Sequence, residues 1–301
     1  MAFIDLYKTA KNPPEKLESY LPALIRQGSY TATFSGGSGK GKSSLIGQLA
    51  LELCGYPESL STGLRLNKDD AKITYLPAED PEIVLQHRFH YLLNRLNDDQ
   101  LKRVLSNFSV DNLMEERPNI CEKKWIDRLH GVAQKNDIII CDTARRFHDK
   151  KEEDNTEMNY VLNCMTDVIK NTNCILMVVG HITKEAGKNK DVINDQYSSR
   201  GGSVIVDNSK WNTVLTSCTP KLLDYYFGVK NISEKEAEDY IVIGGSKTNF
   251  GKFNNVLLKR INSRNPDIHG CHFERIRVPF MINIENKNEK KGRVYGRQKS
   301  K

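Results

Sequence analysis

The segment Tyr30-Thr31-Ala32-Thr33-Phe34-Ser35-Gly36-Gly37-Ser38-Gly39-Lys40-Gly41-Lys42-Ser43-Ser44 runs from a candidate strand through a glycine-rich turn into a candidate helix. Residues 30–35 read as the strand. Downstream, Leu45, Ile46, Leu49, Ala50 and Leu53 recur at helical spacing and mark one buried face. Between them, residues 36–43 fit G-x-x-x-x-G-K-[ST], in the strand-loop-helix setting that this phosphate-binding motif requires. Glycines let backbone N–H groups curl around phosphate oxygens, and the helix N-terminus adds the positive end of its dipole. Gly36, Gly37, Ser38, Gly39, Lys40, Gly41, Lys42, Ser43 and Ser44 are therefore the expected nucleotide cradle. Lys42 is expected to reach the β- and γ-phosphates and Ser43 to ligate Mg²⁺ through its hydroxyl. Lys40 cannot be the motif lysine, because Gly41 rather than Ser or Thr follows it. The expected cofactors are ATP and Mg²⁺.

Outward from this loop, short apolar runs alternate with amphipathic segments. Strands are expected at 72–76, 137–142 and 174–180. Helices are expected at 83–93, around Trp125, Leu129 and Ala133, and along Met158, Leu162, Met165 and Ile169. Such alternation implies βαβ units, a mainly parallel twisted sheet and helices on both faces. After Trp211 the pattern changes to short strand-like runs at 212–216, 240–243 and 255–260, with a helix at 234–238 announced by the Ser233/Glu236 capping box. That ending suits antiparallel strands added at the C-terminal end of the sheet. A single α/β domain over 1–285 is expected, followed by a basic, flexible tail at 286–301.

The composition agrees with such a domain. A chain of 301 residues buries enough apolar surface to need no staples. Seven scattered cysteines without a C-x-x-C point to reduced thiols rather than a disulfide framework or zinc site. The segment 1–16 lacks the apolar stretch of a signal peptide, and no run has the length of a membrane span. The expectation is a soluble, cytoplasmic protein without a membrane partner. A net charge of +7 suits a polyanionic partner, although charge alone serves a solvated surface equally well.

Three further residues complete a hydrolytic site. Asp142 ends the run Asp137-Ile138-Ile139-Ile140-Cys141-Asp142, four apolar residues before a carboxylate, the arrangement that holds a magnesium shell from a neighbouring strand. Glu79, in Tyr75-Leu76-Pro77-Ala78-Glu79-Asp80-Pro81, closes the second strand and is the candidate for orienting the attacking water. Asp80 is expected to cap the following helix, whose start Pro81 suits. His181 ends the strand before it and is the candidate sensor of the γ-phosphate.

The same blocks carry a resemblance to a family. The phosphate loop, YLPAEDP (75–81) with Arg88, DTARRFH (142–148), His181 with Lys184, SRGGSVIVDNSKW (199–211) and GSKTNFG (245–251) resemble, in order and spacing, the RepA replicative helicases of IncQ-type broad-host-range plasmids. The likeness runs from about residue 21 to 259. It implies a RecA-like P-loop fold and a homohexameric ring that hydrolyses ATP, moves on single-stranded DNA and unwinds replication-fork DNA. A replication initiator or primase is the implied further partner. Lys42, Ser43, Glu79, Asp142 and His181 match the family's Walker lysine, magnesium serine, catalytic glutamate, Walker B aspartate and sensor.

Lys210 stands where similar chains have an arginine that acts across the subunit interface, and Lys247 matches the lysine of a K-x-R finger whose arginine is here Asn249. The choice between these two catalytic lysines stays open, with Lys210 placed first because its matched position lies beside the sensor segment. Two basic segments follow strand tips, where RecA-like proteins line the DNA channel. The expected DNA-binding residues are Arg145 and Arg146 in the first, for which packing against the site as salt-bridge partners is the alternative, and Lys184, Lys188, Lys190 and Arg200 in the second. Cations in loops suit phosphate tracking without base readout. A RecA-like DNA-binding ATPase without unwinding activity is the rival reading. A small-molecule kinase would need an arginine-rich lid, and a non-catalytic DNA-binding switch would not need Glu79.

Overall fold

The computed structural model describes residues 3–66, 70–182 and 202–277. Lys184, Lys188, Lys190, Arg200 and the basic tail 286–301 lie outside the described residues. A small antiparallel pair, β1 (Ser19–Leu21) and β2 (Leu24–Ile25), precedes the main sheet. That sheet contains β3 (Tyr30–Gly36), β4 (Ile73–Pro77), β5 (Phe108–Val110), β6 (Ile138–Asp142) and β7 (Ile175–His181). It continues through β8 (Trp211–Ser217), β9 (Tyr240–Thr248), β10 (Val256–Asn262) and β11 (Cys271–Arg275). The spatial order is β11-β10-β9-β8-β3-β7-β6-β4-β5. From β8 to β5 every pairing is parallel, whereas β9, β10 and β11 add antiparallel.

The helices are α1 (Leu6–Lys11), α2 (Lys42–Leu53), α3 (Glu82–Leu93), α4 (Asp98–Leu105), α5 (Lys123–Ala133), α6 (Asn155–Ile169), α7 (Gly202–Asn208), α8 (Pro220–Phe227) and α9 (Glu234–Ala237). Strand alternation decides which helix each residue meets. Ile73, Tyr75, Ile138, Ile140, Ile175 and Met177 share one core with α2, α3 and α4. Ile139, Cys141, Leu176 and Val178 share the opposite core with α5 and α6. Burial on both faces explains why these strands are continuously apolar rather than alternating. Along the antiparallel extension, Val214, Val242 and Leu257 pack under α8 and α9.

The expected strands and helices around the phosphate loop are present within a residue or two. The capping box at Ser233 and Glu236 closes the start of α9, as its spacing predicts. Among the elements that were not anticipated, two carry end signals in the sequence. Asn97 and Gln100 form a capping box for α4, and α8 runs from an N-cap at Thr219 to Gly228 at φ 65°. β5 has only three residues, and β11, with His272, Glu274 and Arg275 among its five, lacks an apolar run.

β11 matters most, because it curls over the helix of the phosphate loop. Fully buried Gln48 of α2 accepts from the Phe273 N–H (2.7 Å) and donates to the Phe273 carbonyl (2.9 Å). One side chain thereby does what a neighbouring strand would do for this edge strand.

Candidate active site

Parallel strands all point the same way, so their carboxyl ends open on one edge of the sheet. Register sets the level of each group there. Gly36 pairs with His181, Asp142 pairs with Val179 and Pro77, and Glu79 lies two residues past β4. Residues separated by up to 145 positions thus meet at one edge.

The phosphate loop has the backbone that its glycines permit. Gly39 and Gly41 sit at φ 69° and 83°, in the left-handed region. A Cβ on Gly36 would lie 2.8 Å from the Leu215 carbonyl oxygen, closer than packing allows. Ser38, Gly39 and Lys40 are exposed, and Gly41 is the N-cap of α2. Lys42 is buried; its Nζ donates to the Gly37 carbonyl (2.9 Å) and lies 3.2 Å from His181 Nδ1. Burial lowers the Lys42 pKa, against the opposing fields of Asp142 and Glu79. Ser44 hydrogen-bonds Cys271 of β11, so the end of the loop rests on the last strand.

Asp142 is buried, and burial raises its pKa against hydrogen bonds from Tyr75 and Ser43. The Tyr75 hydroxyl donates to Oδ2 at 2.5 Å, whereas Oδ1 is buried without a hydrogen-bond partner. An unmatched carboxylate oxygen beside a serine hydroxyl is a hard oxygen-donor pair, and it fits Mg²⁺. Past the strand, the Asp142–Thr143 peptide is cis.

Glu79 is held at one oxygen: Thr143 Oγ1 donates to Oε1 at 2.9 Å, and Arg146 Nε lies 3.5 Å from it. Asp80 does not cap α3. Its carboxylate is drawn 2.8 Å from Arg88 Nη2, two turns along the helix, and Pro81 occupies the N-cap with no side-chain bond. Thr143 was missed by sequence reasoning, whereas the contact of Arg146 with Glu79 matches the alternative reading of that arginine as an ion-pair partner of the site.

Arg145 and Arg146 line a cleft of about 610 Å³ with Ala78, Arg117, Asn119 and His148. Arg145 Nη1 donates to the Lys150 carbonyl (2.8 Å). Burial lowers the pKa of His148, and Arg145 beside it pushes the same way.

Lys210 departs from its expected position beside the sensor. Its N–H donates to the Thr31 carbonyl (3.0 Å), while His181 pairs with Gly36, so the two sit toward opposite ends of β3. At ~3.3 Å per residue the offset from Thr31 to Gly36 is roughly 17 Å. The reason is parallel pairing: β8 starts beside the start of β3, and Lys210 precedes it. Lys247, opposite Asn212 in β9, is at the same end. Its Nζ donates to the carbonyls of Val206 (3.0 Å) and Asp207 (2.5 Å) at the end of α7, and burial lowers its pKa.

A family model described as AAA domain matches residues 4–187, more than half of the chain. The chain belongs to the AAA domain family. Solved structures similar to this AAA domain include one described as an ATPase domain, with a TM-score of 0.55 and 11% identity, covering 85% of this chain and 93% of that one. Another is a DnaB-like replicative helicase whose structure is described with its interactions with primase. Its TM-score is 0.54 at 11% identity, over 87% of this chain and 65% of that one. The chain thus spans just under two thirds of that second protein. At 11% identity these likenesses establish the RecA-like fold of this AAA domain: a mostly parallel central sheet with helices and antiparallel strands at the C-terminal end. Among the described residues no helix is long and apolar enough to cross a membrane.

Proposed function

We propose that this AAA domain protein is an ATP-dependent replicative DNA helicase of the RepA type. It acts in the cytoplasm as a hexameric ring on single-stranded and fork DNA during plasmid or mobile-element replication, with an initiator or primase as its partner. The observation that carries the reading is the convergence of Lys42, Ser43, Glu79, Asp142 and His181 on one sheet edge, with the Asp142 carboxylate left one oxygen short of a partner. When bound, Mg²⁺ supplies charge neutralisation to the transferring phosphoryl group. Ser43 and Asp142 are the residues that would hold it.

The loop's N–H groups and the N-terminus of α2 bind the phosphates. Lys42 exchanges its bond to the Gly37 carbonyl for phosphate oxygens, a gain for a buried ammonium. Glu79 orients the attacking water and accepts its proton. His181, 3.2 Å from Lys42, reports the γ-phosphate into the segment that follows β7.

Lys210 and Lys247 lie at the far end of β3 from their own phosphate loop, which supports their use on a neighbouring subunit's nucleotide. A finger of this kind is worth about three to five powers of ten in related NTPases, and a lysine brings the charge without the planar fork. The test combines two assays. Fork substrates report ATP-dependent strand displacement, and mixtures of Lys42→Ala with Lys210→Ala or Lys247→Ala subunits report the shared site. Displacement with partial rescue of turnover in a mixture is the expected result. DNA-stimulated hydrolysis without displacement would leave a RecA-like DNA-binding ATPase in its place, and parent-like turnover by diluted monomers would end the ring.

A further inference from the structure

A cavity of about 450 Å³ opens where the phosphate loop ends, lined by Ser44, by Val84 and Arg88 of α3, and by the segment 262–271 that joins β10 to β11. That volume is in the range of small-molecule sites. Its walls are firm. The joining turn carries its own scaffold: the Ser263 N–H donates to the Gly270 carbonyl (2.8 Å), and Asn265 Oδ1 accepts from the Asp267 N–H (3.0 Å). The turn also rests on α3. Tyr91 Oη lies 2.9 Å from His272 Nδ1, the rings of His87 and His269 meet at 5.8 Å, and a Cβ on Gly270 would fall 2.4 Å from the Tyr91 Cβ. Val84, Arg88 and Tyr91 recur at i, i+4 and i+7, so one face of α3 both supports the turn and walls the cavity.

Among the described residues, polar groups of this lining are left unpaired. Arg88 donates through Nη2 to Asp80 (2.8 Å), whereas its Nη1 is buried without a hydrogen bond. Asn262 makes no side-chain hydrogen bond among the described residues. Register fixes where that amide lies: Asn262 pairs with Cys271 at the end of the β10–β11 ladder. Directly opposite residues in an antiparallel pair project from the same face, with Cβ atoms about 5 Å apart. Cys271 hydrogen-bonds Ser44, so Asn262 stands one side chain away from the last residue of the phosphate cradle. Farther along the turn, Pro266 and half-buried Ile268 add apolar surface to the lining.

A nucleotide whose phosphates lie on residues 36–43 leaves that loop past Ser44, and its ribose is the next group along. Resting on the ATP reading of the loop above, we propose that this cavity is the nucleoside subsite and that Asn262 sets sugar specificity by hydrogen-bonding the ribose hydroxyls. An amide both donates and accepts, which suits a vicinal diol. The base lies farther out against Pro266 and Ile268, held by apolar cover rather than by recognition of its edge. Arg88 Nη1 gains an oxygen acceptor from the ligand.

The test is a set of calorimetric titrations, with Mg²⁺ present, of ATP, 2′,3′-dideoxy-ATP and inorganic tripolyphosphate. The parent should bind ATP about two- to twelvefold more tightly than the dideoxy analogue, the worth of one hydrogen bond. Asn262→Ala should weaken ATP to the dideoxy level and leave the affinities for the other two ligands as they were. Equal affinity of the parent for ATP and its dideoxy analogue, or a hydroxyl preference that survives in Asn262→Ala, overturns the sugar assignment. So does an equal weakening of all three ligands, which would make Asn262 a support of the loop. Ile268→Ala should weaken both nucleotides by about fourfold or more, the effect of one uncovered methylene, and spare tripolyphosphate. Parent-like affinity of Ile268→Ala for both nucleotides removes the base from the cavity. A parent that binds neither ATP nor tripolyphosphate would fail the nucleotide reading itself, a result distinct from these.

Discussion

Gln48 offers the sharpest test of how the last strand supports the phosphate loop. Gln48→Leu keeps the volume and the apolar surroundings but removes both amide groups. The N–H and the carbonyl of Phe273 then lose their bonds at 2.7 and 2.9 Å in a place where both residues are fully buried. Each stranded backbone group costs about 1–3 kcal/mol, so the pair costs ~2–6 kcal/mol. Glu52 also loses the donor that reaches its Oε1 at 3.1 Å. At roughly 2–4 °C per kcal/mol for a chain somewhat smaller than this one, Tm should fall on the order of 10 °C. Urea unfolding should show a lower midpoint at an unchanged m-value. Nucleotide affinity should drop as well, because the Phe273 ring stands 3.0 Å from where a Cβ on Gly41 would be. Stability within ~0.5 kcal/mol of the parent would refute the reasoning, since that is the range of substitutions that touch nothing structural.

Glu52, buried in the last turn of the same helix, has its pKa pushed up to about 7 by burial, against hydrogen bonds from Thr62 and Gln48. A folded-state pKa raised from 4.5 means that its contribution is whole below about pH 4.5 and lost as pH rises through about 7, a span worth ~3 kcal/mol. Urea midpoints of the parent relative to Glu52→Gln should therefore decline across that window, and parallel curves would speak against it. Gly41→Ala meets both a φ of 83° and the Phe273 ring, so it should lose most nucleotide binding with a stability loss of about 1–3 kcal/mol, read by nucleotide titration and thermal melting. Lys42→Ala should abolish turnover mainly through lost nucleotide binding, and Glu79→Gln should keep binding while losing most turnover. Near-parent hydrolysis by Glu79→Gln with single-stranded DNA present would remove Glu79 from the chemistry.

The sequence by itself determined the parallel half of the fold and which residues meet at the carboxyl edge of its sheet. Those features are local: a glycine pattern between a strand and a helix, apolar runs buried on both faces, and acids at strand tips are written within a few residues of one another. Parallel connectivity then forces such tips to one edge, which is why Lys42, Glu79, Asp142 and His181 could be paired before any coordinates. Pairing across the chain was decided only by the tertiary structure. Asp80 was taken by Arg88 rather than by a helix end, Lys210 was carried to the far end of β3, and Lys247 was set on the α7 carbonyls. Arg146 reached Glu79, and β11 closed over α2 through Gln48, 225 positions away. A charged or amide side chain has several partners within its reach, and which one it takes depends on strand register and on what else is buried beside it. Neither is encoded in the residue's own neighbourhood along the chain.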